Sequence, residues 1–161
     1  MSRTVEDDKH MPWKLIVFSI LLGVFFSILP FPYWALWLIP EVPLLIIIYW
    51  VITFPFRFGM IISGLIGLLI DVLDGGILGQ NALAFIVISY LSLLFYTQLR
   101  MFNIILQSLC VFFFVLLYQL IIYWIFSISG GNFNSIVFAT PALTSMFFWP
   151  IVKLILNRVN L

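Results

Sequence analysis

Two carboxylates three residues apart, Asp71 and Asp74, stand in a stretch, residues 64–83, that is otherwise almost wholly apolar and carries five glycines. Charged side chains are expensive in an apolar setting, so they are usually buried, paired or functional. Such a pair could present oxygens to a divalent ion. Two oxygens hold one weakly unless substrate phosphates complete the shell. Asp74 is followed by Gly75 and Gly76, and Asp-Gly-Gly is turn chemistry, because Asp bonds its own backbone and glycine takes positive φ. Glu41, between Pro40 and Pro43, is a third acidic group, placed either at an exposed interface or in contact with a partner or headgroup.

Asp71-x-x-Asp74-Gly75 resembles the opening of the metal-binding motif of CDP-alcohol phosphotransferases. That family continues with Ala-Arg and a Gly-x3-Asp-x3-Asp element, and neither follows here. No Ser/His pair, Walker loop or His/Glu zinc motif accompanies the carboxylates. The reading is of a protein that is not an enzyme and uses no cofactor and no metal. Cys110 and His10 are each the sole residue of their type, which leaves no disulfide or cysteine metal site within the chain.

The residues that must position Asp71 are small. Gly59, Ser63, Gly67 and Asp71 recur every four positions and share one face of a helix. Small residues on such a face let another helix approach closely. Asp71 then points at a neighbouring helix, where it either accepts hydrogen bonds from the next turn, caps the fourth segment, or serves a partner. Gly79 opens that fourth segment, on which Asn81, Ser89, Ser92 and Tyr96 form a modest polar stripe.

The 161 residues are 65% hydrophobic and 8% charged, whereas a soluble domain carries about 25% charged residues. This composition indicates an all-α integral membrane protein. Six hydrophobic segments are read at 13–29, 33–54, 58–73, 77–96, 102–127 and 136–156, with short loops between them. Pro30, Pro32, Pro40 and Pro43 delay the helix of the second segment to near Val42, since proline removes a backbone donor. No Ala-x-Ala pattern follows the first segment, so it is expected to be retained. With the N-terminus cytoplasmic, all seven basic residues (Arg3, Lys9, Lys14, Arg57, Arg100, Lys153 and Arg158) fall on the cytoplasmic side. That agrees with the positive-inside rule and supports six spans with both termini inside. The expected organisation is a cytoplasmic tail over 1–12, one transmembrane domain over 13–157 and a cytoplasmic end over 158–161. Net charge is +1, too little for an electrostatic nucleic-acid footprint. Trp13, Trp34, Trp37, Trp124 and Trp149 are expected near the interfaces as an aromatic belt, with Trp50 deeper.

Several stretches resemble the MreD family of the bacterial rod-shape system. Pro40-x3-Leu44-Leu45-x3-Tyr49-Trp50-x4-Pro55-x-Arg57 resembles its second segment. Gly67-x3-Asp71-x3-Gly75-x2-Leu78-Gly79-x2-Ala82-Leu83, followed by Tyr90, resembles its central signature, and Trp149-Pro150 its last span. The resemblance implies a six-helix fold like that of the substrate-binding S-components of energy-coupling-factor transporters. It implies a non-enzymatic scaffold of the cytoplasmic membrane that docks MreC and works with MreB, RodA and a class B penicillin-binding transpeptidase in lateral peptidoglycan synthesis. Gly59, Ser63, Gly67, Asp71, Gly75, Gly79 and Glu41 are the candidate partner-binding or helix-packing residues. The competing reading is a solute-binding transporter subunit with a ligand near Glu41, Asp71 and Asn132.

Overall fold

The computed structural model describes residues 13–29, 39–55, 58–130 and 140–159. Tail residues 1–12, Pro30, Pro32, Trp34, Trp37, Arg57 and Asn132 lie outside them. The described residues form seven helices: α1 Trp13–Ile28, α2 Val42–Thr53, α3 Met60–Asp74, α4 Gln80–Leu94, α5 Tyr96–Met101, α6 Ile104–Ile128 and α7 Thr140–Val159. The protein is thus all-helical over these residues.

α2 is the hub. Every residue from 43 to 52 is buried, as expected of a helix that is hydrophobic all round. Helices α1, α4, α5 and α7 surround it. It begins at Val42, where Pro43 in the first turn lacks an amide that the helix would not have used. At 12 residues and about 1.5 Å per residue it is roughly 18 Å long. α1 lies close on it at Gly23, where an added Cβ would stand 3.3 Å from the Pro43 Cα. Further along, the Trp50 indole N–H donates to Ser19 Oγ at 2.8 Å, so a large buried aromatic keeps its one donor satisfied.

Contacts fix the helix directions. Gly23 meets Pro43 while Ser19 meets Trp50, so α1 and α2 run oppositely. Gly64 meets Ile86 while Gly67 meets Ala82, so α3 and α4 do too. At one end of the bundle lie Glu41, Asp71 and Asp74. At the other lie Arg100, which donates to the carbonyls of Ile52 and Thr53, and Lys153, which donates to Gln107. The described acidic and basic side chains are therefore segregated by end.

The outside is apolar. Phe18, Leu21 and Phe25 on α1, Ile61 and Leu65 on α3, Phe113 and Trp124 on α6, and Phe147 and Ile151 on α7 are all exposed. Soluble monomers rarely expose contiguous apolar patches above a few hundred Å². α6, with 25 residues, is the one described helix long and apolar enough by itself to cross a membrane.

Candidate functional site: the acidic corner between α3 and α4

α3 ends in a left-handed residue, Gly75 (φ 64°), and α4 is preceded by another, Gly79 (φ 92°). Both are in the region that L-residues with a Cβ enter at a cost. The glycines fold the chain back within five residues, so the last turn of α3 lies beside the first turn of α4.

Asp71 fills that corner. It is 2% exposed. Its Oδ2 accepts from the amides of Gly79 at 2.9 Å and Ala82 at 3.3 Å, and its Oδ1 accepts from the amide of Asn81 at 2.9 Å. Helices leave their first amides unpaired, and Gln80 and Gly79 supply no side-chain cap here. Asp71 caps α4 from a different helix, and its charge faces the positive end of the helix dipole. Asn81 extends the network: its Oδ1 accepts from the Tyr118 hydroxyl at 2.6 Å, which ties α6 to the same corner.

One turn below, Gly67 sets the spacing. A Cβ there would stand 2.6 Å from the Ala82 Cα and 2.7 Å from its nitrogen. Backbone touches backbone at this point. Ser63 is fully buried on the same face and returns its hydroxyl to the Gly59 carbonyl at 3.2 Å. Gly64 meets the Ile86 side chain.

Gly59 differs from its expected place. It precedes α3 rather than lying within it, and an added Cβ would meet nothing within 4 Å. The four-residue repeat thus outruns the helix by one position. Glu41 stands before α2, where its amide donates to Ser145 Oγ at 3.1 Å and its side chain caps nothing. Asp74, past the apolar run of α3, is exposed. Partial desolvation, and then the Asp71 charge, push its pKa upward. Asp71 and Asp74 do not form a joint ligand set with a third group; among the described residues no cluster of three metal-ligating side chains exists.

On α4, Ser89 and Ser92 are buried and their hydroxyls have no hydrogen-bond partner among the described residues. Tyr96 belongs to α5, so the expected stripe is divided between two helices. Trp149 corrects the aromatic-belt expectation: it is 1% exposed and donates to Gln107 Oε1 at 3.4 Å. Trp13 and Trp124 are exposed. The polar hub around Gln107 was not anticipated; the available signal was a Gln near the start of a long apolar segment.

A family model described as rod shape-determining protein MreD matches residues 7–159. A rod shape-determining protein MreD from Haemophilus influenzae (strain Rd) is 28% identical over 151 residues, which span 93% of each chain. No solved structure matches the chain.

Proposed function

The chain belongs to the MreD family of rod shape-determining proteins, and from that premise we propose that it is a non-enzymatic, multi-pass scaffold of the cytoplasmic membrane. Its role is to dock the transmembrane helix of MreC within the elongation complex that also holds MreB, RodA and a class B penicillin-binding transpeptidase. The observation that carries this reading is the engagement of Asp71. Both carboxylate oxygens are taken by backbone amides, so the most chemically suggestive group in the chain is spent on holding α3 and α4 together. The oppositely directed helices, the apolar exterior and the acidic and basic ends support a bundle with its basic end in the cytoplasm.

Because Ser63 and Gly67 face α4, the partner surface is the opposite ridge of α3. Ile61, Leu65, Leu68 and Val72 are exposed there, spaced four, three and four residues apart, the pattern by which one helix packs along another. The Asp71 and Gly67 contacts hold that ridge rigid.

The test is depletion of the protein in its rod-shaped host. Rounding and widening of the cells, rescued by the wild-type gene but not by a Leu65→Ala/Leu68→Ala form of normal abundance, is the expected result. Unchanged rods with a nutrient-dependent growth defect would instead support a solute-binding subunit.

A further inference from the structure

At the basic end, a cavity of about 150 Å³ opens between α2, α5, α6 and α7, lined by Tyr49, Arg100, Gln107, Trp149, Lys153 and Asn157. We propose that this cavity is an anion site that takes a phosphate group.

The cavity is built, not incidental. Gln107 is 3% exposed and forms its back wall with Trp149. The Gln107 amide donates to the carbonyls of Leu99 at 2.5 Å and Phe102 at 3.2 Å. Its Oε1 accepts from Trp149 and, at 2.6 Å, from Lys153 Nζ. The carboxamide is therefore fixed on both sides, and it fixes Lys153 in turn. Across the cavity the Arg100 guanidinium is held by the carbonyls of Ile52, at 2.9 Å to Nε, and Thr53. A guanidinium carries five donors and an ammonium three. These bonds leave three on Arg100 and two on Lys153 at a shared cavity.

Nothing acidic answers them among the described residues. The described carboxylates, Glu41, Asp71 and Asp74, stand at the far end, about one α2 length away, roughly 18 Å. Arg100 is exposed and Lys153 half-buried, and a cation drawn partly out of water is stabilised by a paired, hydrogen-bonded counter-charge. A ligand that answers both cations brings negative charge and several acceptors pointing in different directions, since the donors come from α5 and α7. A tetrahedral phosphate does this, and the Arg fork with a Lys point charge is its usual complement. An apolar cavity of this volume admits a benzene ring, so a phosphate group fits. The same chemistry is offered by an anionic phospholipid headgroup and by inorganic phosphate.

The full chain, purified in non-ionic detergent, is titrated with phosphatidylglycerol, phosphatidylcholine and inorganic phosphate. Lipid retention is read by native mass spectrometry and phosphate binding by thermal shift. The expected result is retention of phosphatidylglycerol at least tenfold above phosphatidylcholine, or a stabilising shift with phosphate. Either is reduced tenfold or more in Lys153→Met and preserved in Lys153→Arg. Competition between phosphate and the lipid assigns the site to the phosphate group alone; retention of the lipid unaffected by phosphate assigns it to the headgroup with its chains. Equal retention of both lipids together with no phosphate shift overturns the proposal. So does wild-type binding by Lys153→Met. If that variant does not fold, Arg100→Gln replaces it under the same criteria. Arg158→Gln, outside the cavity lining, is expected to bind as wild type.

Discussion

Asp71 on α3 accepts the amide of Gly79, eight residues ahead, at 2.9 Å, so one side chain closes the turn between two helices and caps the second. Two further amides, from Asn81 and Ala82, share the same carboxylate. Asp71→Ala leaves three amides at a buried corner. Hydrogen bonds to a charged group contribute about 1.5–3 kcal/mol each, and they are not additive. The expected loss is about 2–4 kcal/mol, read as a lowered midpoint of thermal unfolding in detergent. Asp71→Asn keeps one acceptor oxygen and is expected to lose about half as much. An Asp71→Ala protein that unfolds with the wild-type midpoint would contradict the capping role.

Gly59, at the start of α3, and Gly64 and Gly67 within it are expected to differ in a fixed order. Gly67→Ala drives a methyl into the Ala82 backbone at 2.6 Å, which only separation of the helices relieves, at about 1–3 kcal/mol. Gly67→Leu is expected to be worse. Gly64→Ala meets only the movable end of Ile86 and is expected to be milder. Gly59→Ala meets nothing, so its effect is limited to the cap preference, a few tenths to about 1 kcal/mol. Cellular abundance of the three alanine variants ranks them; equal abundance would refute the close approach at Gly67.

Gly79→Ala tests the turn independently of packing. No atom lies within 4 Å of the added methyl, so any loss comes from φ of 92°. A left-handed residue with a Cβ costs about 1–2 kcal/mol. Gly76→Ala, equally open and without a positive φ, is the control and is expected to be close to neutral. Identical unfolding midpoints for the two variants would remove the conformational argument.

Ser19 and Trp50 form the polar contact between α1 and α2. Ser19→Ala strands the buried indole N–H, at about 1–3 kcal/mol. Trp50→Phe removes both the donor and ring volume. In a double-mutant cycle the pair is expected to couple by about 1 kcal/mol. A coupling indistinguishable from zero would mean that the 2.8 Å contact contributes nothing to stability.

The all-helical architecture was legible because the composition leaves little else. The late start of α2 at Val42 followed from Pro40 and Pro43, and the turn at 75–79 from its glycines. Residue spacing also put Ser63, Gly67 and Asp71 on one face. Other features were hidden for a physical reason. When the exterior is as apolar as the interior, helical periodicity does not separate inward positions from outward ones. Hence neither the complete burial of α2 nor that of Trp149 could be read, since Trp149 looks like an interfacial Trp until Gln107 is found beside it. α5 was also missed, because its residues, Tyr96–Met101, are too few and too polar to register as a hydrophobic segment. The length of α2 was legible only as a delayed start; that it is shielded by four neighbours required the fold.

That shielding orders events during synthesis. α2 leaves the ribosome long before α7, which later covers it through contacts 104 and 108 residues away in sequence, Glu41 to Ser145 and Tyr49 to Asn157. Until then α2 has an unsheltered side and, at 12 residues, too little length to stand alone across a bilayer of about 30 Å. A pulse-chase comparison of the full chain with one stopped at Gly130 is expected to show rapid proteolysis of the shorter chain. α7 is therefore the latch, and a nascent molecule stays unfinished at its centre until that helix has emerged.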